Sequence, residues 1–219
     1  MKKLLVTTAM VVAMSAGNAH ADLVSVTFSP YGGADTPPAV PAGSTLVSDF
    51  SSSAGLTGTY SLVTGSVSGQ HLAPAFSAST SDPGQYLAVL ADGNATLALP
   101  KSTEVDVYFG SFDAYNGIAF SNGLSYTGAQ LAAMVSGLGD SGCQYCSDQN
   151  GRLAFVFSNT EAVNSVTFTS AGANAFEVAQ VSAAGIVPEP ATWAMMGLGF
   201  VGLGYVGIRR RKSARAAFA

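Results

Sequence analysis

Basic residues, histidine, cysteine and tryptophan are all scarce in this chain, and their scarcity is uneven. Of nine Lys and Arg among 219 residues, seven sit at the two ends. Only Lys101 and Arg152 are basic from position 22 to 189, against thirteen acidic residues, which gives that span a formal charge of −11. The lack of cationic surface excludes nucleic acid as a partner, because phosphates need Lys or Arg opposite them. Histidine occurs at positions 20 and 71 alone. A hydrolytic triad needs a base oriented by a third group, and a catalytic zinc centre needs several ligands. His71 lies in a Ser/Gly-rich stretch without a visible partner, so it reads as a solvated loop residue.

The two cysteines form a single CxxC, Cys143-Gln144-Tyr145-Cys146. A zinc knuckle needs a second ligand pair, and a thioredoxin-like redox pair belongs at a helix start inside a βαβ unit. Here Gly139, Asp140, Ser141, Gly142, Ser147 and Asp148 surround the motif and read as a loop. The expectation is a local disulfide in an oxidising compartment, one that shapes its loop more than it stabilises the fold.

Long apolar runs are missing from the middle of the chain and present at both ends. Lys2 and Lys3 precede an apolar segment at 4–16, and Ala19-His20-Ala21 has the small-x-small form of a signal peptidase site. Residues 1–21 therefore read as a signal peptide for the Sec translocon, cleaved by signal peptidase after Ala21. An uncleaved N-terminal membrane segment is the alternative. At the other end, residues 191–208 carry no charge and would span roughly 27 Å as a helix. Arg209, Arg210, Arg211 and Lys212 follow. Such a cluster stays cytoplasmic, which places the intervening residues outside, with 209–219 as a basic tail. Trp193 sits at the outer edge of the run, where an indole suits the interface.

Between the ends, residues 22–182 are enough for one domain with a real core. Val24, Val26 and Phe28 alternate, as do Val105, Val107 and Phe109 against Glu104, Asp106 and Tyr108. Period-two runs bounded by Gly, Asn and Asp predict strands at 23–28, 57–63, 85–90, 95–99, 104–109, 117–121, 152–157, 165–169 and 175–182. One-sided alternation excludes a doubly wound parallel sheet and predicts an antiparallel β-sandwich. Thr127 and Gln130 have capping-box spacing, which predicts one short helix at 128–136 ending before Gly137. Two stretches rich in Pro, Gly and Ser, 29–43 and 65–83, read as loose loops. Residues 183–190 read as a linker to the membrane.

The C-terminal elements occur in a fixed order: Pro188-Glu189-Pro190, then Trp193-Ala194-Met195-Met196, a glycine-rich apolar run, and the Arg209–Arg211 cluster. This tail resembles the PEP-CTERM sorting signal, in its PEPxxWA form, of Gram-negative bacteria that make exopolysaccharide. The resemblance implies recognition and processing by an exosortase, an integral membrane protease or transpeptidase. Segments 107–120 and 174–178 resemble those of bodies that carry this tag, which implies a jelly-roll-like surface domain without an assigned activity.

Chemistry in the body is thinly marked. Glu104 and Asp106 share a strand face, where two carboxyls could serve glycoside hydrolysis if a cleft lay between them. A solvated acidic face is the plainer reading. Asp113, Asn116, Asp140, Asp148 and Asn150 offer hard oxygen ligands on turns, which suit Ca²⁺; ordinary Asx turns are the alternative. Tyr31, Tyr108 and Tyr115 could stack on sugars if exposed. The chain thus reads as a non-enzymatic cell-surface or exopolysaccharide-matrix protein. A carbohydrate-binding module and an enzyme acting on extracellular polysaccharide stand as alternatives.

Overall fold

The computed structural model describes residues 23–33, 39–185 and 200. The signal peptidase site at Ala19 and Ala21, the sorting residues Pro188, Glu189, Pro190, Trp193 and Ala194, and the cluster Arg209, Arg210, Arg211 and Lys212 all lie outside them. Among the described residues no helix is long and apolar enough to cross a membrane. The predicted span at 191–208 falls almost wholly outside that set.

Period-two alternation becomes antiparallel sheet throughout. In chain order the strands are β1 (Leu23–Pro30), β2 (Thr45–Ser48), β3 (Leu56–Thr59), β4 (Ser61–Thr64), β5 (Gln85–Val89) and β6 (Asn94–Ser102). After them come β7 (Glu104–Gly110), β8 (Asn116–Phe120), β9 (Ser125–Thr127), helix α1 (Gly128–Met134), β10 (Gly151–Phe157), β11 (Val163–Ser170) and β12 (Phe176–Ala184). One sheet runs β1-β10-β7-β12-β5-β4, with β2 beside the far end of β12; the other runs β3-β6-β11-β8-β9. The chain is mainly β with one short α-helix, arranged as two sheets that share a core.

That core is what alternation predicts. Val105, Val107 and Phe109 of β7 and Leu153, Phe155 and Phe157 of β10 meet Leu97, Val166, Phe168 and Phe120 of the facing sheet. Aromatic edges link the layers: Phe120 lies 4.9 Å from Phe155 and Phe168 lies 5.6 Å from Phe176, both edge-on. Burying one such ring stabilises the fold by about 1.5–3 kcal/mol. Helix α1 has the expected capping box, with Thr127 Oγ1 accepting from Gln130 N and Gln130 Oε1 accepting from Thr127 N.

Three expectations need correction. The strand predicted at 57–63 is two strands, one in each sheet. Gly58 sits at φ 113°, a conformation only glycine takes readily, and the chain passes between sheets at Tyr60. Val24 does not share a face with Val26 and Phe28. A bulge between Leu23 and Ser25 leaves Val24 64% exposed and turns Leu23 toward the core.

The third correction has the widest consequence. The stretch at 65–83 has little regular structure, yet it is a strap folded over the outer face of the first sheet. Ala73, Phe76, Tyr86, Ala88, Tyr108 and Ala179 pack there as a second apolar cluster. The acidic face of β7 is not uniformly solvated either: Glu104 is half-buried, whereas Asp106 is 2% exposed and accepts hydrogen bonds from Ser44 and Ser182. Tyr108 is equally buried, donates to Ala75 O, and carries the Arg152 guanidinium 5.6 Å from its ring centre, so it is closed to sugar stacking. His71 is buried too, its Nδ1 2.7 Å from Tyr86 Oη. Tyr86 spends its proton on Gly65 O, so His71 Nδ1 is the donor in that pair.

The strap closes directly on β7 at Gly110. A Cβ there would overlap Pro74 Cα and crowd Pro74 Cβ, so Gly110→Ala should lift the strap. Over-packing of this kind costs about 1–3 kcal/mol. A thermal melt showing an unchanged midpoint would contradict so close an approach.

Candidate functional site

The two ends of the first sheet differ in character. At one end Leu23 pairs with Phe157, Phe157 N bonds Thr103 O, and Thr103 N bonds Ala184 O. Both flanks of the domain, residue 23 and residue 185, thus leave from this end. At the other end β7 runs on into Ser111, β12 begins at Phe176, and the strap and the cysteine loop close around them.

Asn150 ties this second end together. It is fully buried; its Oδ1 accepts from Ala75 N and Ser111 N, and its Nδ2 donates to Cys143 O and Cys146 O. Cys143 and Cys146 are disulfide-bonded, with Cα atoms 5.4 Å apart. One amide therefore joins the strap, the end of β7 and the loop. Asn116 does similar work: its Oδ1 accepts from Asp113 N and its Nδ2 donates to Ala175 O.

These ties leave a polar cleft of about 240 Å³. Its floor is Glu177, on the outer face of β12 and 2% exposed. Leu72 N donates to Glu177 Oε1 at 2.8 Å and Ser111 Oγ donates to Oε2 at 3.0 Å. Burial dominates its titration and pushes its pKa up to about 8, with the nearby Asp113 charge adding to the rise. On the wall, Asp113 Oδ2 accepts from Tyr115 Oη at 2.8 Å, and burial raises this carboxyl above the ordinary aspartate range. Tyr115 Oη also reaches Asn174 O, while Asn174 Nδ2 donates to Gly69 O of the strap. Two carboxyls with raised pKa values in one cleft are a recognisable mark of a functional site.

Of the five residues singled out for calcium, the structure gathers Asp113, Asn116, Asp140 and Asn150 near this end. It spends both Asn side-chain oxygens on backbone N–H groups and leaves Asp148 exposed. Among the described residues there is no group of three or more His, Cys, Asp or Glu side chains that could hold a metal ion. Glu104 and Asp106 lie away from the cleft, and Asp106 is enclosed with Ser44 and Ser182. Sequence reasoning missed Glu177 altogether. A lone Glu between Phe176 and Val178 at a strand start looks like any solvent-facing position. Its partner Leu72 lies 105 residues away.

Fold and cleft together define an antiparallel β-sandwich domain with a strap over one face and a polar pocket at one end. The chain's C-terminus, residues 187–212, matches the PEP-CTERM protein-sorting motif. That motif implies export and recognition by an exosortase. No curated protein matches the chain in sequence. Among solved structures, an exo-beta-1,3-galactanase from Phanerochaete chrysosporium with galactose is similar over 66% of this chain and 30% of that one, at 18% identity and a TM-score of 0.35. The chain thus spans less than a third of that protein's length, and a likeness this slight carries no argument about function.

Proposed function

We propose that this chain is an exported, non-enzymatic matrix or cell-surface protein. Its sandwich is held outside the inner membrane by a helix at 191–208 until an exosortase acts on the tag. A signal peptide at 1–21 directs it to the Sec translocon, and residues 209–219 stay in the cytoplasm. The single observation that carries the reading is the sorting motif at 187–212. The structure is compatible with it in one respect: the chain leaves β12 only a few residues before Pro188, at the same end as Leu23. The body therefore stands close to the membrane on its strand ends. Pro190 pushes Glu189 toward extended geometry, which presents the tag as a strand to an enzyme.

The test is made in a Gram-negative host that carries an exosortase. With Pro188, Glu189 and Pro190 all changed to Ala, the protein should keep its C-terminus by intact mass and stay in the inner-membrane fraction. Processing equal to wild type would overturn the reading. Five glycines, at 197, 199, 202, 204 and 207, weaken the helix by up to about 1 kcal/mol each relative to Ala in a soluble host. Replacing all five with Ala should slow processing, because a stiffer helix unwinds less readily into an enzyme. Undiminished processing would remove that part of the mechanism.

A further inference from the structure

We propose that the cleft floored by Glu177 binds one neutral, hydroxyl-rich unit, such as the terminal hexose of a glycan, between Glu177, Ser111 and Asp113. Its volume of about 240 Å³ lies below the 300–1,000 Å³ typical of drug-sized ligands, which leaves room for a single small ring. Among the described residues no Lys or Arg lines it, and the domain is strongly acidic, so phosphate, sulfate and uronate ligands are repelled.

The hydrogen-bonding pattern selects within what remains. Glu177 accepts side-chain hydrogen bonds from Leu72 N and Ser111 Oγ. Burial favours the protonated acid, whose O–H is a donor that a hydroxyl in the cleft can meet. Asp113 gives Oδ2 to Tyr115, while its Oδ1 accepts no hydrogen bond from the described residues. A donor and an open acceptor in one small pocket suit adjacent hydroxyls, each able to give and to receive. Tyr115 adds aromatic surface at the wall.

The position suits a glycan as well. From Glu177 to Ala184 the strand rises roughly 23 Å, so the cleft lies at the opposite end of the sheet from both chain exits. That it faces away from the membrane rests on the sorting reading above; its chemistry does not.

Saturation-transfer NMR on the full mature chain in detergent micelles tests the site, with methyl glycosides of glucose, galactose and mannose as probes. Glucuronate and methylammonium serve as the anionic and cationic arms. At least one neutral glycoside should bind with millimolar affinity, and glucuronate more weakly. Asp113→Asn should weaken binding about tenfold, as loss of a charged acceptor does. Ser68 is exposed at the cleft mouth, so Ser68→Trp should block binding without moving the melting temperature. The proposal is overturned if no neutral glycoside shows transfer, if transfer survives both variants, or if methylammonium binds and the glycosides do not. The readout does not depend on processing, so either reading can fail while the other stands.

Discussion

Raising the pH from about 5 to about 9 should destabilise the folded domain by roughly 3 to 5 kcal/mol, and Glu177→Gln should remove most of that loss. The folded pKa of Glu177 is about 8, against an ordinary value of 4.5. Between those values the folded protein holds a proton that the unfolded chain has released. The stabilisation is therefore complete below the ordinary value and lost as pH rises through the folded one. The cause is burial: Glu177 sits beneath the strap, where hydrogen bonds such as those from Leu72 N and Ser111 Oγ offset only part of the cost of a negative charge, and Asp113 lies nearby. Asp82, Glu104 and Asp113 are raised in the same direction by burial and steepen the slope from the ordinary carboxylate range upward. Asp49, lowered mainly by its Ser51 hydrogen bonds, opposes them. Gln resembles the protonated acid in shape and still accepts one of the two bonds. Urea midpoints measured across this pH range should thus fall steeply for wild type and much less for Glu177→Gln, which keeps the smaller contributions of Asp82, Glu104 and Asp113. Parallel slopes for the two proteins would mean that the buried acid is not the titrating group.

Asn150→Ala should destabilise the domain by about 3 to 5 kcal/mol, among the largest effects of any single polar substitution here. The change orphans two N–H groups, of Ala75 and Ser111, and the carbonyl of Cys143, while Cys146 O keeps the hydrogen bond from Gln149 N. An unsatisfied buried group costs roughly 1–3 kcal/mol, and partial entry of water keeps the total below the sum of three. Asn150→Asp should be comparably harmful, because the atom now facing two carbonyls would be an oxygen. Asp148→Ala, two residues away and exposed, should stay within about 0.5 kcal/mol of wild type. Equilibrium unfolding of the three variants decides the matter. A mild Asn150→Ala phenotype would show that strap and cysteine loop hold without the shared amide.

Much of the architecture was readable because strand alternation is a local property. Val105, Val107 and Phe109 point to one side whatever else the chain does, and Thr127 with Gln130 caps a helix within four residues. What alternation cannot report is whether a distant segment returns to cover the polar side. Glu104-Val105-Asp106-Val107-Tyr108 has the same pattern on a solvated edge as under a strap. The same limit hid the cleft. Its parts come from the strap, the continuation of β7, the cysteine loop and the start of β12, and no short window of sequence contains two of its carboxyls.

The sequence by itself determined the order of segments along this chain: a charged and apolar N-terminal stretch, an acidic body, and a sorting motif with its apolar run and basic cluster. These are signals read by composition and order, so they survive without a fold. It also determined two-layer antiparallel structure, because period-two hydrophobicity can be satisfied in few ways. The tertiary structure alone decided that residues 65–83 lie against β7 and β12, that Asp106 and His71 are buried, and that Glu177 is buried at a polar cleft. The physical reason is that burial and hydrogen bonding between residues some hundred positions apart depend on where the chain returns, and no local pattern encodes that path.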